Sequence, residues 1–172
     1  MKTLLPLALA GMLASSQGIA QKLDTHLDLT ALDSIATKAA EKTELSLEGS
    51  ALDFLKQIVS NAAPDRRELF AGINSITVRS YQFDKAGQFM DRDLDDLRKQ
   101  VSPGSGWSRM LNSKDSGGHT EIYTFARQDR ISGLLLISTE AMELTVVQIG
   151  GTVELARIQE LIQSTIRFTG AQ

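Results

Sequence analysis

Residues 107–150 read WSRMLNSKDSGGHTEIYTFARQDRISGLLLISTEAMELTVVQIG, and this stretch decides the fold. It divides into four strand-like runs: Trp107 to Ser113, Thr120 to Arg127, Ile131 to Ser138 and Glu143 to Ile149. The connections, Gly117-Gly118 and Gln128-Asp129-Arg130 among them, are short enough for antiparallel hairpins. Leu134-Leu135-Leu136 is apolar on both faces, as a central strand requires. The stretch predicts a meander in which each strand pairs with the next.

Upstream, Ile76 to Phe83 alternates as a further strand, and Thr43 to Leu47 as a shorter one. Helical spacing appears after Asp28 (Leu29, Leu32, Ile35, Ala36, Ala39), after Gly49-Ser50 (Leu52, Leu55, Ile58, Val59) and from Asp91 to Val101 (Leu94, Leu97, Val101). A short helix is expected from Pro64, carrying Leu69 and Phe70 inward. Gly150-Gly151-Thr152 closes the meander before a last helix with Leu155, Ile158, Leu161 and Ile162. Consecutive strands with helices before and after predict an α+β fold. The expectation is a single, mainly antiparallel sheet of about five to six strands, with helices packed mostly on one face.

Met1-Lys2, the apolar run Leu4 to Ala14 and the small residues Gly18 and Ala20 read in order as an export signal cut near Ala20. That leaves 21–172 as a single domain. The apolar run is too short to span a bilayer, so no transmembrane segment is expected in the mature chain, and the location expected is periplasmic or secreted. Without Lys2, 17 Lys and Arg stand against 21 Asp and Glu, a mature charge of −4. Nucleic acid is not expected as a partner of so mildly acidic a chain. The sequence holds no cysteine, which excludes thiol catalysis, zinc–thiolate sites and iron–sulfur clusters within it.

Chemistry-bearing patterns are sparse. Asp91, Asp93, Asp95 and Asp96 begin like a calcium loop, but Asp96 stands where glycine belongs and Ser102 where glutamate belongs. Acids opening a helix explain them better. His119 beside Gly117-Gly118 is the one residue on which a small hydrolase could be built, with a serine or acid beside it in a pocket. A carrier of a small apolar ligand, with an internal cavity, is the other alternative. No metal site and no cofactor is expected, and no catalytic residue is assigned.

The aromatic and basic alternation is more suggestive. Arg79, Tyr81 and Phe83 share one side of their strand, Tyr123 and Phe125 (with Arg127) one side of theirs, and Trp107 and Arg109 one side of a third. If those sides lie away from the helices, they make an amphipathic patch for an envelope protein or peptide partner. If they lie beneath the helices, the same rings are core and only the arginine tips reach water. The oligomeric state is not written in the pattern.

Four ordered segments carry a resemblance: Ile76 to Phe83, Gly106-Trp107-Ser108-Arg109, Gly133 to Ile137, and Glu143 to Ile149 with the helix after it. Through them the chain resembles the exported bacterial family catalogued as domain of unknown function 4252. The resemblance implies a bacterial envelope protein and supplies no activity, ligand or catalytic residue. Some members look like lipoproteins; this sequence lacks their anchoring cysteine. Members often accompany extracytoplasmic sigma-factor genes, which points toward envelope sensing. The function expected is a non-catalytic binding module that uses a sheet face or edge.

Overall fold

The computed structural model describes residues 25–62, 67–127 and 130–153. The export segment, the first residues of the helix expected from Pro64 and the last helix lie outside the described residues. The described chain opens with a 3-10 turn, Thr30–Leu32, running into α1, Asp33–Ala36. Asp28 Oδ1 accepts the Thr30 N–H at 2.9 Å and so starts the turn. This helix is shorter than its apolar spacing predicts, because the Ala40 N–H already bonds Gln82 and commits the chain to the sheet.

β1 (Glu41–Glu48) passes without a loop into α2 (Gly49–Ala62). Gly49 makes that reversal at φ +52°, a conformation in which a side chain is unfavourable. α3 (Arg67–Ala71) and β2 (Ile73–Gln82) follow, then a 3-10 turn, Asp91–Leu94, and α4, Asp95–Gln100. The meander is β3 (Trp107–Lys114), β4 (Gly118–Arg127), β5 (Arg130–Glu140) and β6 (Glu143–Val153). At its entry Gly106 has φ +88°, and a Cβ there would stand 2.5 Å from the Phe125 ring.

Among the described residues six strands form one antiparallel sheet in the order β1-β2-β6-β5-β4-β3. This is the expected α+β architecture, with neighbour pairing through the meander. β6, the last strand, closes between β5 and β2 and so joins the meander to the N-terminal pair. β1 and β3 are the edges.

Cover is shared between the faces. On the first face Tyr81, Leu135, Ile137, Leu144 and Val146 pack with Leu32 and Ile35 of the N-terminal turn and helix and with Leu94 and Leu97 of the acidic turn and α4. On the second, Ile122, Leu134, Leu136, Val147 and Ile149 form a core with Leu52 of α2, and Leu55 and Phe70 pack against it. β5 contributes to both cores, as its double-sided apolar run predicts. Each fully buried leucine or isoleucine adds roughly 1.5–3 kcal/mol of burial free energy.

Candidate functional site

The rings expected as a binding patch lie inside. Tyr81, Phe83, Trp107, Tyr123 and Phe125 are all buried in the first core, Tyr81 completely. Trp107 meets Phe125 edge to face at 5.6 Å, and Phe83 lies 4.8 Å from Phe89. The exposed-patch reading is therefore corrected: strand alternation put these residues on one face, and α1 and α4 cover that face. The two arginines diverge. Arg79 is half-buried and donates to the Val78 carbonyl at 3.3 Å, whereas Arg109 is exposed on β3. The set does not converge on an accessible surface.

A polar cluster that the sequence reading missed sits at the β3–β4 end of the same face. Glu121 of β4 is 2 % exposed; its Oε2 accepts the Arg98 Nε–H at 2.8 Å, and Arg98 Nη2 forms an ion pair with the same oxygen at 2.7 Å. Its Oε1 accepts the Tyr123 hydroxyl at 2.8 Å, with Arg109 Nη1 4.0 Å away. Arg98 also donates to the Asp91 carbonyl at 2.8 Å and to Asp91 Oδ1 at 2.7 Å. The acids opening the α4 region thus orient an arginine that neutralises a buried carboxylate, a role beyond the helix-end preference their positions suggested.

Electrostatics follow from this wiring. Burial works against the charge on Arg98, but its bonds to Asp91 and Glu121 outweigh that and hold its pKa above the ordinary value. The same guanidinium holds the Asp91 carboxyl below the usual range. Burial, then the bond to Glu121, raises the Tyr123 phenol. At the opposite end of the face Tyr81 donates to Glu44 Oε1 at 3.2 Å, and burial with that carboxylate pushes it up to about 12.

His119 joins the cluster from the start of β4. Its Nε2 lies 2.6 Å from Asn112 Oδ1 and its Nδ1 3.9 Å from Asp91 Oδ1. An imidazole set between an amide and an acid resembles two-thirds of a hydrolytic triad. The hydrogen bonds described for its side chain, however, go to no serine hydroxyl. Among the described residues no group of His, Asp or Glu is arranged to hold a metal ion. The cluster ties α4 to β4 and β3.

Both edges are exposed among the described residues, and the more regular of the two is β1. All of β1 except Leu47 is exposed, and its pairing with β2 runs without a bulge from Glu41 to Glu48. Three large apolar side chains stand in water on or beside it: Leu45 at 42 %, Phe54 at 66 % and Ile58 at 47 % exposure. The other edge, β3, is broken by a bulge between Arg109 and Leu111.

Among known proteins, the family described as "Domain of unknown function (DUF4252)" matches residues 37–161, which include all six described strands. No curated protein and no solved structure matches the chain. No helix among the described residues is long and apolar enough to cross a membrane.

Proposed function

The chain belongs to that family, a domain of unknown function, and on this premise we propose that it is an exported, non-catalytic binding module of the bacterial envelope. It engages a protein or peptide partner by strand addition at β1. One observation carries the reading: β1 offers an open, regular, eight-residue edge beside exposed Leu45, Phe54 and Ile58. Soluble domains ordinarily blunt such edges with bulges or cover, and large apolar side chains grouped beside one suit a contact surface. The export signal read at residues 1–20 supports the envelope location.

Ser46→Pro tests the reading. Ser46 lies mid-edge, and proline there removes a backbone donor from the outer side while leaving the inner ladder to β2 intact. The variant keeps its thermal midpoint within a few degrees, and capture of envelope components on the immobilised protein falls to background. Equal capture by the wild type and a folded Ser46→Pro variant refutes docking at β1.

A further inference from the structure

We propose that the partner taken up by β1 is a second copy of this chain, paired antiparallel edge to edge with Leu45 on the twofold axis. The proposal rests on the edge-docking reading above and specifies its partner.

Backbone directions come first. The Phe83 N–H bonds the Met142 carbonyl at 2.9 Å, so Phe83, Tyr81 and Arg79 of that chain segment direct their amides to β6. By alternation, Gln82, Ser80, Val78 and Ile76 face β1, where their partners are Glu41, Thr43, Leu45 and Leu47. The outward groups of β1 therefore belong to Lys42, Glu44, Ser46 and Glu48. A twofold antiparallel pairing must set these residues against one another, so its axis passes through a residue.

Charge then selects the register. With the axis at Glu44, that glutamate faces its own copy. With the axis at Ser46, Glu44 faces Glu48 twice. With the axis at Leu45, Lys42 faces Glu48 twice, Glu44 faces Ser46, Thr43 faces Leu47 and Leu45 meets Leu45. Registers further out shorten the overlap. Of the three long registers, the one that opposes unlike charges also centres the exposed leucine.

The helix agrees. α2 folds back from Gly49 over β1 and β2, on the face toward which Leu45 and Leu47 point. The hand of L-residues and of the α-helix then places Ala51, Phe54, Ile58 and Ala62, all exposed, on the flank overhanging the open edge. Asp53 and Ser60 fall on the flank toward β6. Helices straddling β1 and β2 in two copies, across strands spaced about 4.8 Å, lie about 10 Å apart, which is contact distance for side chains of this size. Phe54 and Ile58 would thus be covered by their own counterparts.

The test is a charge exchange read by sedimentation across a concentration series. Wild-type protein dimerises; Lys42→Glu and Glu48→Lys, both at exposed sites, each weaken the dimer about tenfold or more. An equimolar mixture of the two variants forms a heterodimer, because each then offers the charge the other needs, and the double variant recovers the homodimer. Circular dichroism confirms that both single variants are folded. A wild type monomeric at every concentration overturns the proposal; the edge-docking reading survives that result only if Ser46→Pro still abolishes envelope capture. A dimer indifferent to both charge changes overturns the register and with it the proposal.

Discussion

Tyr81 and Tyr123 occupy matching places, each on the strand next to an edge, on the same face of the sheet, with its hydroxyl on a glutamate. Their glutamates differ. Glu44 is an exposed residue of the edge strand itself, so water competes for it. Glu121 is sealed inside, with Arg98 on its second oxygen. One end of the sheet is held by ladder and apolar packing with its carboxylate wet, the other by a desolvated charge pair that cannot lose a member cheaply. Stabilisation at the wet end is small per interaction and leaves the edge open. The dry end is anchored to α4 and carries a bulged edge. The same phenol–carboxylate pairing thus has a different energetic meaning at each end.

The largest effect that would break this contrast is at Arg98. Arg98→Met leaves the Glu121 carboxylate buried with the Tyr123 hydroxyl and, 4.0 Å away, the exposed Arg109 as its partners, and should cost about 3 kcal/mol in urea unfolding. Arg98→Met combined with Glu121→Met restores most of that loss, since two apolar side chains need no solvation. Glu44→Met at the wet end should stay within about 0.5 kcal/mol of wild type. Equal losses at the two ends would remove the distinction.

Much of this fold was readable in the residues. The four meander runs, the Ile76 strand and the helices after Gly49 and Asp91 appear close to their expected places, because alternation and helical spacing are local signals. The side of the sheet on which the rings lie was not readable. Alternation groups Arg79, Tyr81 and Phe83 on one side but is silent about which side a helix will cover, and that depends on chain crossings. Glu121 was missed although a signal existed: it shares its strand side with Tyr123 and Phe125, and a charge among rings needs a counter-charge if that side is core. Arg98 lies far from it in sequence, and only tertiary structure joins them. The β1 edge was hidden likewise, since a strand pattern does not reveal its place in the sheet order.

The middle-sized test makes the same change at both ends. Tyr123→Phe removes a hydrogen bond to a buried carboxylate and should cost about 1.5–2 kcal/mol. Tyr81→Phe removes a longer bond to an exposed carboxylate and should cost about 0.5 kcal/mol or less, because water replaces the lost partner. Both variants keep the ring in the core, so packing is constant across the comparison. If Tyr81→Phe is the more costly, the account of solvent at the β1 end is wrong.

The smallest effects are in pH, and they separate the ends by sign. Asp91 has a folded-state pKa below its ordinary 3.8, owing to Arg98, so its stabilisation is present above about 3.8 and is lost as pH falls through the depressed value. Tyr81 has the reverse sense. Its pKa is raised from 10 to about 12, so its contribution is present below pH 10 and is lost as pH rises toward 12. Asp91→Asn should therefore flatten the acid limb of the stability curve and leave the alkaline limb alone, and Tyr81→Phe should do the opposite. Asp91 is largely exposed, so its share shrinks further in high salt, where surface charge pairs are screened. Urea midpoints measured from about pH 2 to about pH 12 at low and high salt read both limbs. An acid limb unchanged by Asp91→Asn would mean that the Asp91 carboxylate adds nothing to the hold of Glu121, Asp95 and the Asp91 carbonyl on Arg98.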